Sequence, residues 1–310
     1  MRNAFIAELT ELAALDPRIL LITADLGFGV FETFARNHPK QFLNAGVAEQ
    51  NMTGLATGLA LDGRIVFTYS IANFPSLRCL EQIRNDAAYH DANVKVVSIG
   101  SGFSYGALGV SHHATEDVAI LRALPTLTVV SPGDEWEVRQ ATRALIETPG
   151  TCYLRLDKAK APPSHQPGDV FQIGKARLVR DGDDLTIAVC GGILEVALQA
   201  ADELAKAHGI RCRLLSVHTA KPLDVPALEK AARETGGILA LEEHTVNGGL
   251  GGAIAETLLE SGAVPRRFMR MGLRGGFASA VGSQEYLRKV YGLDAPAVVA
   301  QALKMLGKDR

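Results

Sequence analysis

Glu49 is the first of a small set of side chains in this 310-residue chain whose type and place suit chemistry. It lies in the segment Phe42-Leu-Asn-Ala-Gly-Val-Ala-Glu-Gln-Asn-Met52. Residues 42–45 predict a short buried strand, Gly46 interrupts it, and residues 48–61 follow as a helix with Met52, Leu55, Ala56 and Leu59 on its apolar side. A glutamate in the first turn of a helix complements the helix dipole. At a strand-to-helix edge facing a cleft it can also serve as an acid or base, and the residues alone leave both roles open. His112 and His113 end a glycine-rich loop; imidazole suits proton transfer near neutral pH, although a pair of surface histidines has the same composition. Phe74 could give a planar ligand a stacking wall or cap the core before a helix at 75–89. Arg155 closes the last strand of the first half, where a planar guanidinium can hold an anionic tail.

The elements that must position these residues alternate regularly. Apolar runs of strand length at 19–23, 64–68, 94–99, 127–130 and 151–156 are interleaved with helical stretches at 2–15, 48–61, 75–89 and 134–147. Continuous apolar strands fit a parallel sheet covered on both faces. The pattern repeats at 185–190, 211–217, 237–241 and 268–271, with helices near 194–207, 225–233 and 249–260 and two more after Ser283. The fold class expected is α/β, two doubly wound domains with mostly parallel sheets. The stretch from Asp157 to Asp169 carries three prolines, one glycine and four charged residues. A first domain at 1–157, a linker at 158–174 and a second domain at 175–310 follow.

Composition excludes several classes of function. A net charge of −2 gives no reason to expect nucleic acid or an anionic membrane surface as partner. No signal-peptide core or membrane-length apolar run is read, so a cytoplasmic location is expected. Cys79, Cys152, Cys190 and Cys212 are scattered without a C-x-x-C and read as reduced core thiols. Two glycine pairs imitate nucleotide loops. Gly27-x-Gly29 lacks a third glycine, and no helix starts after Gly100-x-Gly102 until about Glu116.

The string Gly46-Val-Ala-Glu-Gln-Asn-Met-Thr-Gly-Leu-Ala-Thr-Gly-Leu-Ala60 resembles the cofactor-activating motif of the transketolase superfamily of thiamine diphosphate enzymes. The resemblance implies that Glu49 hydrogen-bonds N1′ of the aminopyrimidine and promotes the imino tautomer that deprotonates the thiazolium C2. It implies that Phe74 stacks on that ring, with Arg78 or Tyr69 sharing the site, and that Asp25 and Leu26 lie near the cofactor. Ser111-His112-His113 resembles the Thr-His-Gln segment, which makes His112 a substrate-binding and proton-moving group. Ser216-Val-His-Thr-Ala-Lys-Pro-Leu-Asp224 and Glu242-Glu-His-Thr-Val-Asn-Gly-Gly-Leu-Gly251 are similar to the family's C-terminal domain, so the likeness spans nearly the whole chain.

The family's Gly-Asp-Gly diphosphate motif is absent, the nearest string being the reversed Asp181-Gly-Asp-Asp184. The resemblance therefore implies the C-terminal subunit of a split enzyme that transfers a two-carbon ketol unit between sugars. An N-terminal subunit with the pyrophosphate domain would supply the Mg²⁺ ligands; this chain would have none. Gly54 and Gly58 suit close packing of helix 48–61 in a homodimer core of an α₂β₂ complex. Three polar substrate ligands of the family are replaced by Leu108, Gly100 and Gly29, while arginines at Arg2 and Arg155 are kept. A modified sugar or another anionic donor is therefore expected, and Leu108→Asp with Gly100→His should improve use of ordinary phosphoketoses. A 2-oxo-acid dehydrogenase beta subunit, a deoxyxylulose-phosphate synthase-like enzyme and a non-catalytic regulatory subunit are the rival readings.

Overall fold

The computed structural model describes residues 1–158 and 163–309. The first half alternates α1 (Arg2–Leu15), β1 (Ile19–Thr23), α2 (Glu32–Asn37), β2 (Phe42–Asn44), α3 (Glu49–Leu61) and β3 (Ile65–Ile71). It continues through α4 (Leu80–Gln82), β4 (Val94–Ile99), α5 (Asp117–Arg122), β5 (Thr128–Val130), α6 (Glu135–Glu147) and β6 (Cys152–Leu156). The second half contains β7 (Arg177–Arg180), β8 (Leu185–Cys190), α7 (Leu194–His208), β9 (Cys212–Ser216), β10 (Thr219–Lys221) and α8 (Val225–Glu234). It ends with β11 (Ile238–Thr245), α9 (Leu250–Glu260), β12 (Phe268–Leu273), α10 (Gln284–Val290) and α11 (Ala295–Leu306).

Two mostly parallel sheets result, in the orders β10-β5-β6-β4-β3-β1-β2 and β12-β11-β8-β9-β7. In the first, β1, β4 and β6 are buried at every residue, as continuous apolar strands between two helical layers must be. Phe5, Leu9, Val138 and Leu145 of α1 and α6 cover one face. Met52, Ala56, Ile83 and Val118 cover the other. The second sheet is packed the same way, with α7 and α11 on one face and α8 and α9 on the other. All four cysteines are buried and unbridged.

Four local expectations are corrected. Strand β2 is the sheet's edge and is half-exposed to exposed, with Leu43 37% accessible. The stretch at 75–89 is no continuous α-helix: turns lead into α4, and a π-helix follows over Ile83–Ala88. Strands β7 and β10 were not anticipated. β10 leaves the second half of the chain and pairs antiparallel with β5 of the first sheet, Thr219 against Val130. The Ser216–Asp224 motif thus ties the two halves together. Of the expected linker, residues 159–162 lie outside the described residues.

Candidate active site

Glu49 begins α3 directly after a tight turn. Gly46 takes φ +72°, a conformation glycine adopts without a Cβ penalty. The Glu49 side chain is 3% exposed at the helix N-terminus, where the helix dipole favours a carboxylate. Its Oε2 lies 3.2 Å from Nη1 of Arg78, whose side chain remains 55% exposed. The Arg78 guanidinium carbon sits 5.5 Å from the centroid of the Phe74 ring. Phe74 in turn meets the His112 ring at 5.2 Å and 73°, an edge-to-face contact. Glu49, Arg78, Phe74 and His112 therefore form one contiguous row drawn from α3, the segment after β3, and the loop after β4.

Phe74 is half-buried and is not named in the hydrophobic core clusters of the described residues. The two histidines part company. His113 is 1% exposed, with Nε2 3.2 Å from the Gly106 carbonyl and its ring edge-to-face with Phe103. His112 is half-buried; burial, with a smaller contribution from His113, holds its pKa below the ordinary value. The reading of a surface pair fails for His113, which is buried.

Asp25 has φ +55° and exchanges two hydrogen bonds with Asn44: its backbone N–H donates at 3.0 Å and its Oδ1 accepts from Nδ2 at 2.9 Å. Asn44 Oδ1 also accepts from Gly46 N–H at 3.0 Å. One amide at the end of β2 thus fastens the Asp25 loop to the turn that launches Glu49. Sequence reading passed over Asn44, although an asparagine two residues before a glycine is a turn signal. Leu26 accepts from Thr23 Oγ1 at 2.8 Å, and Asp25, Leu26, Phe31 and Phe42 line a cleft of about 180 Å³. Glu49 and Phe74 do not line that cleft.

Arg155 is not where an anionic tail could reach it. It is 3% exposed, with Nε 2.8 Å from Asp117 Oδ2 and Nη2 bonded to the carbonyls of Ala114 and Glu243. Burial of Asp117 opposes its ionisation, but Arg155 and His244, with hydrogen bonds from Arg155 and Tyr153, hold its carboxyl below the usual range. The pair closes the interface between the two halves. The Glu242-Glu-His244 motif serves the same interface. Glu243 accepts from Phe103 N–H at 2.5 Å, from Gln284 at 2.9 Å and from Arg288. Glu242 caps the N–H groups of Leu250 and Gly251 at the start of α9.

A larger cleft, about 610 Å³, opens beside α7, α10 and α11. Its charged lining, including Glu195, Arg288, Lys289 and Asp294, contains none of the residues of the Glu49–His112 row, and it lies on the far domain. Chemistry is better served by the row, where a buried carboxylate, a half-buried aromatic ring and an imidazole converge. That set fits a planar nitrogen-bearing ring. Among the described residues no group of three or more His, Cys, Asp or Glu side chains stands as a metal-ligand cluster would.

Comparison with known proteins bears on the family and the fold. Residues 1–163 match the family "Transketolase, pyrimidine binding domain", and residues 174–298 match "Transketolase, C-terminal domain". An apulose-4-phosphate transketolase subunit of Phocaeicola vulgatus is 38% identical, over 99% of this chain and 97% of its own. The 6-deoxy-6-sulfo-D-fructose transketolase subunit SqwH of Clostridium sp. is 39% identical, over 97% of this chain and 93% of its own. A solved structure described as "Split gene transketolase, inactive beta4 tetramer" superposes with a TM-score of 0.90 at 36% identity, covering 100% of this chain and 99% of that one. The chain belongs to the transketolase family. It corresponds to the C-terminal subunit of a split transketolase, a transferase.

Proposed function

We propose that this subunit works with thiamine diphosphate to move a two-carbon ketol unit between sugars, one of them non-standard, and only in complex with an N-terminal subunit. The carrying observation is the Glu49–Arg78–Phe74–His112 row. Thiamine diphosphate, when bound, supplies the nucleophilic carbon and the electron sink that ketol cleavage requires. Glu49 would hold a proton against a ring nitrogen of the aminopyrimidine, from a buried position that excludes competing water. Phe74 offers that ring a stacking face. His112, kept neutral near pH 7 by its burial, can take a proton from a substrate hydroxyl. Asp25 and Leu26 shape the loop beside the turn that carries Glu49.

The names of the two relatives, acting on apulose 4-phosphate and on 6-deoxy-6-sulfo-D-fructose, support a modified sugar with an anionic tail. Mg²⁺, a hard and oxygen-coordinated ion, would take its ligands from the partner. A space open to another backbone beside Gly54 and Gly58 supports self-association through α3, and the relative described as a beta4 tetramer supports self-association of this type of chain. We keep the division into a pyrimidine-binding domain at 1–157, a linker at 158–174 and a C-terminal domain at 175–310, and we place the enzyme in the cytoplasm. Among the described residues no helix is long and apolar enough to cross a membrane.

Calorimetry on the isolated chain should show weak or no cofactor binding, with tight Mg²⁺-dependent binding once the partner is added. Tight binding of one cofactor per isolated chain would falsify the division of the site between two polypeptides.

A further inference from the structure

The loop between β4 and α5 carries His112, and the second half of the chain grips that loop at three points. Glu243, near the end of β11, is 4% exposed, and its Oε1 accepts the Phe103 N–H at 2.5 Å across 140 residues of chain. The Phe103 ring stacks on that of Tyr291 at 5.4 Å and 22°. The Gly106 carbonyl accepts from the Gly282 N–H at 3.2 Å, and a Cβ on Gly106 would run into Leu287 and the Gly282 carbonyl. His113 rests on both gripped residues: its Nε2 donates to the Gly106 carbonyl at 3.2 Å, and its ring meets Phe103 edge-to-face at 5.2 Å. Asn73 Nδ2 then donates to the His113 carbonyl at 2.9 Å. The residue before Phe74 is thus bound to the residue after His112, and the Phe74 and His112 rings face each other at 5.2 Å.

Glu243 is itself held. Gln284 Nε2 donates to its Oε1 at 2.9 Å, and Arg288 Nε donates to its Oε2. A hydrogen bond from a backbone amide to an ionised carboxylate is stronger than one to a neutral acceptor. The approach is also close. Gly102 has φ +55°, and a Cβ there would overlap Oε1, Cγ and Cδ of Glu243. The carboxylate fills the space that a side chain at position 102 would need, so glycine is what lets it reach the Phe103 amide.

We propose that Glu243 is a positioning residue for ketol transfer: from the second domain it sets the loop after β4, and through Phe103 and His113 it sets where the His112 imidazole stands opposite Phe74. The assignment rests on the functional reading above for the reaction, whereas the hold on the loop is a property of this chain alone. It gives the second domain a part in the chemistry, although none of its residues belongs to the Glu49–Arg78–Phe74–His112 row. Losing the acceptor would strand a buried amide and release the loop, and a misplacement of about 1 Å at a reacting group can cost on the order of 10² in rate.

Two double variants that differ only at the acceptor test it. Both carry Arg288→Met, so neither has the ion pair; Glu243→Gln then keeps an oxygen for the Phe103 N–H, and Glu243→Leu does not. Hydrogen exchange of the isolated full chain, read by mass spectrometry, should be faster over residues 100–113 in the leucine variant than in the glutamine variant, with β4 and β8 unchanged. With the partner subunit and cofactor added, kcat of the leucine variant should lie about tenfold to a hundredfold below that of the glutamine variant. Cofactor affinity should agree within about twofold, because the loss falls on the chemical step and not on holding the ring. Gly102→Ala leaves every charge in place and pushes on Glu243 from the other side. It should reproduce both changes, and it stands in for the leucine variant should that one fold poorly. Equal loop exchange in the two double variants, or faster exchange with equal kcat, overturns the assignment. A parent complex that binds cofactor but transfers no ketol unit counts against the functional reading, and the exchange comparison then decides by itself whether Glu243 holds the loop.

Discussion

The Arg78 guanidinium lies 3.2 Å from the Glu49 carboxylate and 5.5 Å from the centre of the Phe74 ring. It therefore stands over the two side chains that would receive an aminopyrimidine, and a ligand there must share or displace it. Arginine suits the position because its planar cation can stack on an aromatic face and bond a carboxylate together.

Glu49→Gln should lower turnover of the reconstituted enzyme by about 10²–10⁴, the usual range for a lost general acid–base. Its thermal midpoint should stay close to the parent's, because glutamine conserves volume. Single-turnover rates with saturating cofactor check this, and near-normal turnover would remove Glu49 from the chemistry. Arg78→Met should cost less than about 1 kcal/mol, since the arginine is half-exposed and screened by water.

Arg155→Met should destabilise the chain by about 3–5 kcal/mol, because it leaves the Asp117 carboxylate buried and unpaired. The double variant Arg155→Met/Asp117→Leu should recover much of that loss. Urea midpoints measure both. A substrate role for Arg155 would instead give a normally stable variant with a raised KM.

His218 is 1% exposed and stacked on Phe171 at 4.1 Å, and its burial depresses its pKa. The unfolded chain then binds a proton near the ordinary histidine value, about 6.5, before the folded chain does. Stability from this group is complete above that pH and is lost as pH falls through the depressed folded value. His112 acts in the same direction. A plot of thermal midpoint against pH should fall below about pH 6.5, and His218→Gln should flatten part of the fall. An unchanged slope in that variant would show that other groups cause it.

The sequence reading expects His at position 100, together with Asp at 108, to improve use of ordinary phosphoketoses; the backbone at Gly100 sets a cost against the first of these changes. At φ +104° a side chain is strained in itself, and Tyr105 already occupies the space. Even Gly100→Ala should lose about 1–3 kcal/mol, the cost of a residue held in a sparsely populated backbone region. Denaturation of Gly100→Ala tests this directly, and a stability equal to the parent's would mean the ring moves freely aside.

Much of the scaffold was legible from the chain alone. β8 was delimited to the residue, Leu185–Cys190, and β1 likewise, Ile19–Thr23, because a strand buried on both faces must be apolar throughout. Glu49, Phe74 and His112 are singled out through the resemblance of their motifs to the transketolase family, since the residues alone leave structural roles open for each. What those motifs could not convey is which way a side chain turns. Arg155 meets Asp117 across 38 residues and Glu243 meets Arg288 across 45, and both pairs exist only once the sheets have packed. The same holds for β10, three residues that join a sheet begun almost 200 positions earlier. Periodicity records how much of a segment is buried, and so the sequence by itself determined the two sheets, their helical layers and the candidates for chemistry. Partners far apart in the chain are chosen by packing, and so only the tertiary structure decided that Arg155 is sealed against Asp117 and Glu243 while His112 stays half-exposed beside Phe74.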